Sequence, residues 1–110
     1  MLKSVILLDT SKEAWFPVPR IPGAYYKPVN EDPDTGRCIW QIRQDAGCIF
    51  PEHNHPAWTQ MLVTAGEMTG PEGTFQSGGY QCIPPGFKHG PYQIGLNGME
   101  GILISDGPIW

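Results

Sequence analysis

Fourteen glycines and twelve prolines are spread through 110 residues, so few windows are long enough to hold a helix. Proline removes a backbone donor and clashes with the preceding turn, while glycine costs entropy inside a regular element. Hydrophobic residues make up 40% of the chain, so this density of breakers implies many turns in a folded molecule rather than disorder. The expected fold class is therefore all-β, a sandwich or barrel of short strands. The length suits a single domain spanning residues 1–110, with N-terminal strands and turns over 1–36 and a barrel over 37–110.

Alternation and turn residues place the strands. Ser4 to Leu8 reads as a strand, followed by one helical turn through Lys12 to Trp15, capped by Thr10 or Ser11. Tyr25 to Val29 and Arg37 to Gln44 read as strands on either side of a turn at Glu31 to Gly36. In the second, Cys38, Trp40 and Ile42 share an apolar face opposite Gln41 and Arg43. A strand from Gly47 puts Ile49, Pro51, His53 and His55 in phase. Thr59 to Ala65 returns and is closed by Gly66, and Tyr80 to Ile83 stops at Pro84-Pro85-Gly86. His89 to Ile94, a two-residue hairpin at Asn97-Gly98, and Met99 to Ser105 complete the pattern.

Composition excludes some partners. The net charge is −4 with no cluster of Lys or Arg, which argues against nucleic acid and against an anionic membrane surface. The apolar run from Val5 to Leu8 is too short for a signal peptide or a membrane span. Cys38, Cys48 and Cys82 form an odd set without a Cys-x-x-Cys pair, so reduced thiols and a cytoplasmic location are expected.

The chemistry rests on the three histidines. In an extended chain, residues two apart point to the same side, so His53 and His55 present their imidazoles side by side. A third imidazole from His89 would complete a facial set for a metal ion. Imidazoles suit Fe, Zn, Ni and Cu. Trp40 and Ile42 are expected to face the interior beside this set, and Phe87 and Tyr92 flank His89 near a pocket mouth. Glu52 is expected to point away.

Two stretches resemble the paired motifs of the cupin superfamily. One is Gly47, five residues, His53-Asn54-His55, a short gap and Gly66; the other is Gly78, five residues, Pro84-Pro85-Gly86, two residues, His89, then Gln93. The resemblance implies a double-stranded β-helix, or jelly-roll barrel, holding one divalent transition metal ion through His53, His55, His89 and a fourth ligand. Cupins usually place a glutamate three or four residues after the second histidine; here those positions are Thr59 and Gln60. The amide oxygen of Gln60 coordinates better than a threonine hydroxyl, so Gln60 is the expected fourth ligand, with Leu62 then facing the pocket. Four neutral ligands would leave the full 2+ charge uncompensated and favour an anionic substrate group. Trp15-Phe16-Pro17 and Asp34-Thr35-Gly36-Arg37 are similar to cupins of the dihydroxyacetophenone and acetylacetone dioxygenase type, and to the cupin domain of zinc-binding anti-sigma factors. That resemblance implies an Fe(II) enzyme, with Zn, Mn or Ni as other metals, that cleaves a C–C bond in a small diketone or hydroxyketone. The alternatives are a non-oxidative lyase or isomerase, or a metal-binding or small-ligand-binding sensor. It also implies a homodimer, through Val5 to Leu8 or Ile109-Trp110.

Overall fold

The structure is a computed structural model that describes residues 4–110. Eight strands carry it: β1 (Phe16–Pro17), β2 (Ala24–Glu31), β3 (Cys38–Gln44), β4 (Ile49–Phe50), β5 (Thr59–Gly70), β6 (Gly73–Phe75), β7 (Tyr80–Ile83) and β8 (Tyr92–Ser105). All pairings are antiparallel, in the order β1-β2-β3-β8-β5-β6, with β4 also on β8 and β7 also on β5.

The two long strands turn this path into a jelly roll. The C-terminal part of β8 pairs with β3 and with the first half of β5. The N-terminal part of β8 pairs with β4, and Met68 and Thr69 of β5 lie against its Ile94 and Gln93. One layer therefore runs β1-β2-β3-β8-β5-β7 and the other β4-β8-β5-β6, with β5 and β8 bending from one to the other. The bend falls where the register shifts between Gly66 and Met68. Gly66 and Gly98 there have φ of 73° and 72°, which favours glycine, and a Cβ on Gly66 would run into the Gly98 carbonyl oxygen. This corrects two expectations. Gly66 bends β5 instead of ending it, and Asn97-Gly98 makes no hairpin, because Gly98 kinks one continuous β8.

Along the first half of β5, Thr59, Met61 and Val63 are buried while Leu62 and Thr64 are exposed. Met61 and Val63 join Ala24, Cys48, Met68, Tyr92, Ile94 and Met99 in the main core. Cys38, Trp40 and Ile109 form a second cluster. Burying these side chains drives folding at about 25 cal/mol per Å² of apolar surface. Cys38 and Cys48 are buried, Cys82 is exposed, and all three are free thiols. Burial, reinforced by Glu31, pushes the Cys38 thiol up to about 11, so it stays protonated as a small core residue.

The N-terminal segment departs from expectation. Ser4 to Leu8 forms no strand, and Val5 and Leu7 are 95% and 97% exposed. The helical turn is a 3-10 turn over Thr10–Lys12, capped by Asp9 and not by Thr10 or Ser11. The Asp9 carboxylate accepts from the Ser11 backbone N–H at 3.0 Å and its hydroxyl at 2.6 Å. Lys27 Nζ holds this turn on the sheet by donating to the Thr10 carbonyl at 2.8 Å. No helix among the described residues is long and apolar enough to cross a membrane.

Candidate metal centre

Between the layers lies a cavity of about 490 Å³, and the three histidines line one part of it. Local backbone pairing brings them there. His53 and His89 exchange two backbone hydrogen bonds, N–H to carbonyl at 3.0 and 2.9 Å. The Pro84-Pro85-Gly86 turn reverses the chain at Gly86, where φ is 74°, and the Gly86 N–H donates to the His55 carbonyl at 2.8 Å. The second motif is thus laid along the first as an antiparallel partner, which sets His89 across from His53 and His55.

The ring centroids are 4.0 Å apart for His53 and His89, 4.8 Å for His53 and His55, and 5.1 Å for His55 and His89. One nitrogen from each imidazole falls within 4.8 Å of the others, so the three could hold a metal ion. Their tautomers follow from the main chain. His53 Nδ1 lies 2.8 Å from the Pro51 carbonyl, His55 Nδ1 2.8 Å from the Ile109 carbonyl, and His89 Nδ1 3.3 Å from the Phe87 carbonyl. A carbonyl only accepts, so each Nδ1 carries the proton and each Nε2 keeps its lone pair for the centre. Desolvation by burial pushes the His53 imidazole down to about 4, with His89 and His55 adding repulsion. Burial also lowers His55 and His89. All three are therefore neutral at pH 7, the form that ligates metal.

The remaining site expectations divide in two. Trp40 and Ile42 line the cavity with Tyr92, whose ring centroid is 5.9 Å from that of His89. Gln60, Leu62 and Phe87 do not line it. Gln60 sits opposite Cys82 and Ile104 on the outer face of β5, and its Oε1 accepts from the Tyr80 hydroxyl at 2.6 Å. The expected fourth ligand is thus on the wrong side of the strand, because Met61 takes the inward position. Leu62 shares that outer face and is 42% exposed, and Phe87 is 57% exposed. Thr59 is inward but fully buried, with its hydroxyl donating to the Ala57 carbonyl at 3.1 Å. Ile49 also faces out, at 64% exposure; β4 stops at Pro51 and the phase changes, so Phe50 and then His53 face in.

Several lining residues gave no signal in the sequence. Tyr26 stacks on Trp40 at 4.4 Å, and Trp110 meets both rings edge-on at 6.1 and 5.2 Å. Ile109 is buried beside Trp40, and its carbonyl orients His55. Such contacts join residues far apart in the chain and leave no periodic mark.

The family described as the ChrR cupin-like domain matches residues 3–108. The chain belongs to that family. Among the curated proteins no sequence matches it. Its fold is shared by solved cupins at low identity. An RmlC-like cupin from Ralstonia eutropha JMP134 is 19% identical, with a TM-score of 0.78 over 94% of this chain and 69% of that one. An acetylacetone dioxygenase from Acinetobacter johnsonii is 17% identical, with a TM-score of 0.76 over 97% and 76%. KdgF from Halomonas sp. is 19% identical, with a TM-score of 0.73 over 94% of both chains.

Proposed function

We propose that this cupin is a metal-dependent dioxygenase in which His53, His55 and His89 hold one Fe(II) ion beside a substrate cavity. Its substrate is a small diketone or hydroxyketone, and the bond broken is C–C. The observation that carries this reading is the shared orientation of the three imidazoles, each with Nδ1 tied to a backbone carbonyl and Nε2 left for the centre. When bound, the ion supplies a Lewis acid and redox chemistry with O2.

The chain's own residues do the rest. With Gln60 outside, three neutral imidazoles leave coordination positions for substrate and compensate none of the ion's charge, which favours an enolate. A closed structural zinc site would need no cavity of about 490 Å³ beside it. Ile42, Met61 and Leu103 give that cavity apolar walls that exclude water from the reacting centre. Among the described residues, no Asp, Glu or Lys lines it. The Tyr92 hydroxyl donates to Glu72 at 3.0 Å, and burial pushes it up to about 12, so it stays protonated and is no base. Proton loss from the substrate then depends on acidification at the centre. The shared fold with an acetylacetone dioxygenase supports the same reading.

Anaerobic loading with Fe(II), followed by O2-electrode measurements across β-diketones and aromatic hydroxyketones, tests the proposal. Oxygen uptake with at least one of them is expected, and none with any would overturn it. Turnover without O2 in protein loaded with Mn or Ni would instead select the lyase or isomerase reading.

A further inference from the structure

The chain has 11 acidic residues against 7 basic ones, yet among the described residues that line its cavity only Arg20 carries a full charge. Among the described residues, no carboxylate faces it from within the cavity, and no ion pair is formed by its guanidinium. Arg20 is also exposed, so it stands where the cavity opens to solvent. Its backbone is unusual. With φ of 67°, it is the one non-glycine residue at positive φ among those described. A side chain in that region carries strain that glycine would relieve. The surrounding turn holds it there through Val18 N–H to Ala24 carbonyl at 2.9 Å, Ile21 N–H to Val18 carbonyl at 3.3 Å, and Ala24 N–H to Ile21 carbonyl at 3.2 Å.

A second polar group waits beside the same turn. Gln44 pairs with Ala24 in the β2–β3 ladder and lines the cavity at 8% exposure. Its Oε1 is buried with no hydrogen-bond partner. A buried acceptor without a donor is destabilising, and a ligand hydroxyl would satisfy it.

We propose that the cavity is built for an anionic ligand, a small oxo acid whose carboxylate pairs with Arg20 while its keto end faces His53, His55 and His89. Guanidinium and carboxylate match as two parallel N–H donors on two oxygens, a geometry that gives orientation as well as affinity. Among the described residues no carboxylate lines the cavity; Glu72 lies behind Tyr92, whose hydroxyl donates to it. The enolisable end rests on the metal-centre reading above; the Arg20 contact does not.

Calorimetric titration with acetylacetone and acetopyruvate, its counterpart with a carboxylate in place of one methyl, separates the two. Both are measured on metal-free and zinc-loaded protein, for the native chain, Arg20→Gly and Arg20→Lys. Arg20→Gly suits the positive φ, so loss of folding does not confuse the result. The native chain should prefer acetopyruvate by about tenfold or more, as charge-assisted pairing in a partly enclosed site provides. Arg20→Gly should weaken acetopyruvate by a similar factor with acetylacetone unchanged, and Arg20→Lys should retain part of the preference. Equal affinities in the native chain, or a preference that survives Arg20→Gly, would overturn the proposal. Failure to bind zinc would sink the metal-centre reading alone, since the Arg20-dependent preference is also read in metal-free protein.

Discussion

The two faces of β5 meet opposite fates although their residues alternate one by one. Inward, Thr59, Met61 and Val63 are buried, and Met61 lines the cavity that the histidines share. Outward, Gln60 takes a hydrogen bond from Tyr80 in an exposed pair, with Leu62 beside it. By chemistry alone, Gln60 is the better metal ligand of the two neighbours Gln60 and Met61. Placement decides against it. In a strand a shift of one residue exchanges the faces completely, so the register against β7 and β8, not donor quality, selects what reaches the centre. The inward face is specified by packing, the outward face by solvent and one side-chain pair.

Replacing an inward ligand should have the largest effect. His89→Ala should lower zinc affinity by more than about 100-fold, beyond the ~10–100-fold typical of losing an outer-shell partner. Competition against a chromogenic chelator measures it, and native-like affinity would remove the histidine set as a metal site. Next comes the core behind the site. Ile94 is 2% exposed, so Ile94→Ala should cost about 2–5 kcal/mol in urea unfolding, whereas Leu62→Ala on the outer face should cost under about 1 kcal/mol. Equal costs would mean that the two faces of the barrel are not as distinct as described.

The pH dependence follows from the depressed histidines. The His53 imidazole ionises at about 4 in the folded chain against 6.5 unfolded. Its folded value is the lower one, so the unfolded chain takes up a proton that the folded chain refuses. Above pH 6.5 this costs nothing; as pH falls from 6.5 toward 4, stability of the metal-free protein should fall, with His55 and His89 acting in the same direction. Thermal melts from pH 8 to pH 4 check this, and a Tm that rises on acidification would contradict the burial assigned to the histidines. The smallest effect is the sharpest on the comparison itself. Gln60→Ala should change zinc affinity by less than about twofold, because its amide faces Tyr80 and not the centre. A loss near that of His89→Ala would return Gln60 to the ligand set.

Much of this site was legible in one dimension. Glycine and proline density argues against long helices, and alternation marks Cys38, Trp40 and Ile42 as one face of β3, with Trp40 and Ile42 reaching the cavity. The two histidine motifs carry their own geometry, since a two-residue spacing and a Pro-Pro-Gly reversal are local properties of the backbone. Where local signals failed, a longer-range contact had overruled them. Gly98 follows Asn97 as a hairpin turn would, yet the close approach of Gly66 makes it a bend inside β8. Ile49 belongs in phase with His53, yet Pro51 ends β4 and shifts the phase between them.

The order of the residues thus settles which side chains can act as ligands and that the chain must fold as strands. Only the assembled barrel settles which of them meet. The carbonyls of Pro51, Ile109 and Phe87 set the three imidazole tautomers, and one of them, Ile109, comes from 54 residues away. The same assembly turns Gln60 outward and leaves Arg20, among the described residues, as the one full charge on the cavity wall. Covalent order acts over a turn or two of chain, whereas burial and hydrogen-bond satisfaction are decided by whatever the fold brings alongside.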